Sequence, residues 1–107
     1  MRAAQRLRQT GDFNTTLTRG TRRSYPSFFI YYRTNQGPWP RLGLAVSKRV
    51  ARKAVTRNRL KRALRETFRK LVHVLPPFDI VILLKPSVTS VSIPQLRELL
   101  AQALNAL

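Results

Sequence analysis

With 107 residues, 43% of them hydrophobic, the chain is long enough for one domain, and a domain of that size buries about two thirds of its unfolded surface without needing staples. It holds no cysteine, which excludes disulfides, thiolate zinc sites and cysteine nucleophiles, and its 21 Lys and Arg against 4 Asp and Glu give a formal net charge of +17. A charge of that size on so small a body repels itself and attracts polyanions.

Taken in chain order, Thr10 is placed as an N-cap, Asp12 suits a first turn, and Gly20 ends a short helix with Phe13 and Leu17 on one face. Ser27 to Arg33 (SFFIYYR) is aromatic and β-branched, as a pleated, half-buried strand requires. Asn35 to Pro40 (NQGPWP) is a loop on its Gly and Pro content, with Trp39 read as a loop-packing residue. Arg41 to Ser47 (RLGLAVS) alternates and is read as the antiparallel partner strand.

A long helix is predicted from about Arg52 to Val74, stopping before Pro76 and Pro77. At 3.6 residues per turn, Leu60, Ala63, Leu64, Thr67, Phe68 and Leu71 share one arc; Arg57, Asn58, Lys61, Arg62, Arg65 and Arg69 share the opposite one. Phe78 to Leu84 (FDIVILL) is apolar almost throughout, as expected of a strand covered on both faces. Its aliphatic stretch, Ile80 to Leu84, falls far short of the ~20 residues of a membrane span. No apolar signal region follows the basic N-terminus, so a soluble, cytoplasmic protein is expected. Ser92, with Pro94 in the first turn and Gln95 three residues on, reads as a capping box opening a last helix whose Leu96, Leu99, Leu100, Ala103 and Leu104 face the core. The class is α+β, one sheet covered by helices.

The charge is a patch. Twelve of the 21 basic residues lie between Arg41 and Lys70, where Glu66 is the only acid. On the long helix, Arg57/Lys61, Lys61/Arg65 and Arg65/Arg69 are like-charge i,i+4 pairs, each costing about 0.2 to 0.5 kcal/mol in an isolated helix. A merely solvated face would interleave acids with these bases, and a membrane-surface helix would spend its apolar arc on lipid rather than on the core. Nucleic acid remains as the source of the missing negative charge, and an excess of 16 Arg over 5 Lys suits planar contacts to phosphate.

Catalytic groups are scarce. His73 is the only histidine, so no histidine pair exists, and at a helix end it is read as solvated or as a dipole partner. Asp12, Glu66, Asp79 and Glu98 fall in four different elements, against the several converging carboxylates of a two-metal nuclease. Glu66 is read as a partner for Arg62 or Lys70, and Asp79 as a strand-entry residue. The chain is expected to hold a polyanion rather than to cut one unaided.

RLGLAVSKRVARKAVTRNRLKRALRETFR, Arg41 to Arg69, closely resembles the signature of the bacterial ribonuclease P protein subunit, a strand ending in V-S-K-[KR] followed by an A-V-x-R-N-R-x-K-R-x-x-R-E helix. The resemblance runs on through RLRQTGDF, FFIYYR, DIVILLKP and the Leu-rich last helix. It implies a single domain of order α-β-β-β-α-β-α with a four-stranded mixed sheet, ribosomal protein S5 domain 2-like. It also implies a left-handed β-α-β crossover, where handedness rules alone would give a right-handed one. It implies a partnership with a catalytic RNA that removes the 5′ leader of precursor tRNA, magnesium being held mainly by the RNA and the protein acting as a monomer within the ribonucleoprotein. By position, Arg57, Asn58, Arg59, Lys61, Arg62, Arg65 and Arg69 are expected to face RNA, with Arg52 and Lys53 adding phosphate contacts. Phe13, Leu17, Tyr31, Ser47, Lys48 and Lys85 match the leader cleft, Leu17 standing where many members carry a second aromatic. From charge alone, a ribosomal or RNA-chaperone protein is the alternative.

Overall fold

Why the two faces of one sheet differ follows from the alternation of its central strand. The computed structural model describes residues 11–107, so the expected cap at Thr10 lies outside the described residues. Helix α1 (Gly11–Arg19) leads into β1 (Thr21–Ser24), β2 (Phe28–Thr34) and β3 (Arg41–Ala45). Helix α2 (Ala54–Leu71), β4 (Phe78–Leu84), a 3-10 turn (Pro86–Ser90) and α3 (Ile93–Asn105) complete the order. The strands lie β1-β2-β4-β3, with β4 antiparallel to β2 and parallel to β3.

Successive β4 side chains point to opposite faces. Ile80, Ile82 and Leu84 join Phe28, Ile30 and Leu42 under Leu60, Leu64 and Phe68 of α2 and Leu96, Leu100 and Leu104 of α3. Val81 points the other way and is covered by Phe13 of α1. Both faces of β4 are therefore buried, as its apolar run predicts.

Four expectations are corrected. β3 does not pair with β2: its neighbour is β4, in parallel, and β2 turns its other edge to β1. A strand apolar from Ile80 to Leu84 gains most from a central position, so β4 inserts between the two strands that sequence order alone would pair. β3 also ends at Ala45, leaving Ser47 in the turn beyond it. Helix α2 is shorter than expected: Lys53 is its N-cap, with extended backbone and no side-chain cap, and Val72 its C-cap. In α3, Leu99 is 40% exposed rather than core, because α2 and the sheet cover only the stripe through Leu96, Leu100, Ala103 and Leu104. The capping box at its start is complete, with Ser92 Oγ accepting from Gln95 N and Gln95 Oε1 accepting from Ser92 N.

Candidate nucleic-acid interface

The cationic surface begins where α2 emerges from the sheet. Its apolar arc, Leu60, Ala63, Leu64, Thr67 and Phe68, is buried, which turns the basic arc outward. Arg52, Lys53, Asn58, Arg59, Arg62 and Arg69 are exposed, and Arg57, Lys61 and Arg65 are half-buried. Arg57 behaves differently from its neighbours. Its Nη1 donates to the carbonyls of Ala51 at 2.9 Å and Arg52 at 2.8 Å, tying the helix to the connection that precedes it. With no side-chain cap at Lys53, this long cation organises the start of α2.

Glu66 relieves little of the charge. Its two oxygens accept from Arg62 Nε at 3.1 Å and from Arg97 Nη2 of α3 at 2.8 Å. The Arg62 side chain is 81% exposed and meets Glu66 through Nε. Its terminal nitrogens therefore face solvent, the geometry a phosphate needs.

The second surface is the α1 side of the sheet. Strand register sets three rows across it: Arg33, Asp79 and Arg41; Arg22, Tyr31, Val81 and Gly43; Ser24, Phe29, Leu83 and Ala45. α1 crosses the middle row, and Phe13 packs on Val81 with Leu17, Tyr31 and Ala45 around them. Of the six expected cleft residues, Phe13, Leu17 and Tyr31 are thus brought together. Phe13 is only 3% exposed, so its ring forms a wall of the site, while Tyr31 is half-buried and keeps an open side. Ser47 and Lys48 are exposed in the turn after β3, and the Ser47 carbonyl accepts from the backbone of Val50 and Ala51. Lys85 stands 4.1 Å from the centroid of the Phe29 ring and donates to Ser24 Oγ and the Tyr25 carbonyl.

At the far end of the sheet the first row closes into an ion cluster. Asp79, buried, accepts from Arg41 Nε at 2.8 Å and Nη2 at 2.7 Å, and from Asn35 Nδ2 at 3.1 Å. Arg41 Nη2 also reaches Asp12 of α1 at 3.2 Å, and these hydrogen bonds, to Asp79 first, raise the guanidinium above its usual range. The cluster joins α1, β3 and β4 and borders a cleft of about 450 Å3 with Arg33, Gln36 and Trp39 on its rim. Sequence reasoning missed Arg22, left Phe29 open between core and stacking platform, and missed the Arg41–Asp79 pair. The first two could have been found by folding TRRS back on FFIY across the turn at Pro26; the pair spans two strands distant in sequence and left no local signal.

Among the described residues, no three His, Cys, Asp or Glu side chains are grouped to hold a metal ion, and no helix is long and apolar enough to cross a membrane. The family model described as Ribonuclease P matches residues 1–107. The "Ribonuclease P protein component" of Nitrosococcus oceani is 41% identical over 83 residues, covering 78% of this chain and 70% of that protein. The protein of that name from Aliivibrio salmonicida is 39% identical over 95 residues, covering 89% and 81%. The solved RNase P protein from Thermotoga maritima superposes with a TM-score of 0.85 at 33% identity, covering 95% of this chain and 96% of that one. A sheet with α1 on one face and a basic α2 on the other, matched over its whole length, places the chain in the Ribonuclease P protein family.

Proposed function

We propose that this chain serves as the RNA-binding subunit of a ribonuclease P, seating the catalytic RNA on the outward arc of α2 and the 5′ leader of precursor tRNA on the α1 side of the sheet. One observation carries this reading: of the twelve bases from Arg41 to Lys70, Arg41 is paired with Asp79 and Asp12, and for the rest the one acid of the segment, Glu66, is spent on Arg62 and Arg97. Lys61, Arg62, Arg65 and Arg69, with Arg59 on the flank and Arg52 and Lys53 at the helix entry, supply phosphate contacts. Arg57 positions the start of the helix. Tyr31 offers an aromatic face for an unpaired leader base, Phe13 and Leu17 form the wall behind it, and Ser47, Lys48 and Lys85 hold the strand at either side.

Hydrolysis falls to the RNA and its magnesium ions. The chain's own acids do not suit a magnesium cage, which needs near-octahedral oxygen: Asp12 and Asp79 share Arg41, Glu66 holds two arginines, and Glu98 stands on the exposed side of α3 with no second acid grouped beside it among the described residues. The protein works as a monomer within the cytoplasmic ribonucleoprotein, lowering the repulsion between catalytic RNA and substrate. Added to its cognate catalytic RNA at low magnesium, it restores endonucleolytic removal of the leader, and alone it cleaves nothing. Reconstitution without rescue, or affinity for precursor tRNA indifferent to the leader, would instead favour an RNA chaperone.

A further inference from the structure

Glu66 is the one acid of α2, and the cation that holds its second oxygen comes from another helix. Oε1 accepts from Arg62 Nε at 3.1 Å, and Oε2 from Arg97 Nη2 of α3 at 2.8 Å. Helical spacing alone would choose differently. Arg62 lies one turn before Glu66 and Lys70 one turn after it, both at the i,i+4 distance at which a carboxylate and a base pair on a helix. Yet Lys70 is exposed and has no ion pair among the described residues, and Arg62 meets the carboxylate through Nε only.

The difference is Arg97. Helix α3 packs along α2 and sets a guanidinium on the oxygen that Lys70, or a second nitrogen of Arg62, would otherwise take. Two cations on one carboxylate leave the trio a net charge of +1. Without Arg97 the remaining pair is neutral, and Glu66 is free to close on Arg62 through both oxygens, the bidentate form in which arginine and carboxylate bind most strongly. The Arg62 nitrogens that face solvent would then turn to the protein's own acid.

Resting on the reading of α2 as the seat of the catalytic RNA, we infer that Arg97 is a positioning residue for that interface. It occupies Glu66 from the α3 side, so that the terminal nitrogens of Arg62 and the ammonium of Lys70 stay available to phosphate, and it touches no RNA itself. The RNA-binding surface thus depends on a residue outside the helix that carries it, and the dependence runs through one carboxylate. Remove that carboxylate and Arg97 becomes dispensable.

The test is a double-mutant cycle: the affinity of the full chain for the catalytic RNA across a salt series, for Arg97→Gln, Glu66→Gln and the two together, with Arg62→Ala alongside. Arg97→Gln binds about fivefold more weakly at 0.15 M salt and flattens the slope of log affinity against log salt by about one unit, the loss of one phosphate contact. In the Glu66→Gln background the same substitution changes neither affinity nor slope, because no carboxylate remains to be occupied. The Arg97 and Glu66 side chains are 44% and 30% exposed, so both positions accept Gln in a folded chain, which circular dichroism verifies. An Arg97→Gln curve that superimposes on wild type overturns the proposal. A loss of equal size with and without the carboxylate also overturns it, since Arg97 would then meet phosphate itself. If Arg62→Ala leaves affinity and slope at their wild-type values, the reading of α2 as the RNA seat fails instead.

Discussion

Replacing Arg41 by Met removes the cation from a carboxylate that has almost no other neutralising contact. The Asp79 side chain is 6% exposed, and two of its three hydrogen bonds come from Arg41. Breaking a buried ion pair from one side costs about 3 to 5 kcal/mol. Arg41 is itself 29% exposed, and Asn35 continues to donate, so the low end applies, about 3 kcal/mol. With an unfolding entropy of about 2.1 cal/mol/K per residue, a chain of this length loses about 13 °C in Tm. The sign of the pH dependence is fixed as well. The guanidinium is raised in the folded state by its bonds to Asp79 and then Asp12, so its contribution is fully present below the unfolded value and fades only as pH rises through the raised one. Thermal and urea melts at pH 7 therefore measure it in full. Arg41→Met combined with Asp79→Leu recovers most of the loss, since an apolar pair replaces an orphaned charge. A single variant costing under about 1 kcal/mol, or a double variant worse than either single, would refute the assignment of Arg41 and Asp79 as one coupled unit.

Two further outcomes follow from the geometry. If about six side chains at α2 neutralise phosphates, log affinity for the catalytic RNA falls against log salt with a slope near −5, and Arg62→Ala flattens it by roughly one unit; an unchanged slope in a filter-binding titration removes Arg62 from the interface. A Cβ at Gly20 would lie 2.5 Å from the Thr16 carbonyl oxygen and 2.8 Å from that of Tyr32, both backbone, whereas one at Gly11 meets nothing within 4 Å. Gly20→Ala accordingly costs about 1 to 3 kcal/mol in urea unfolding and Gly11→Ala costs nothing; equal midpoints would show that the α1–β1 corner yields freely.

What could be read from the sequence was whatever one element fixes by itself. α2 announced its two arcs because acid, base and apolar residues sort cleanly at helical spacing. Ser92, Pro94 and Gln95 specified a cap because its hydrogen bonds close within three residues, and β4 declared its central place through an unbroken apolar run. What failed was set by partners distant in the chain. TRRS holds no apolar alternation, so β1 exists only by pairing with β2. The alternation of β3 showed a strand but not its neighbour. Leu99 sits on the apolar stripe of α3, yet that stripe is wider than the surface available to cover it. Arg57 belongs to the basic arc by spacing, while its length lets it fold back on Ala51 and Arg52. In the candidate site the α2 residues were legible singly, and the grouping of Phe13, Leu17 and Tyr31 rested on family resemblance.

The affinity of the catalytic RNA for a chain carrying Arg59→Gln, Lys61→Gln, Arg62→Gln and Arg65→Gln together tests the outward face of α2 most directly. Four lost phosphate contacts weaken binding about 10³-fold at 0.15 M salt, with the circular dichroism spectrum unchanged. Affinity within threefold of wild type, on a folded variant, would contradict the claim that this face of α2 holds the RNA.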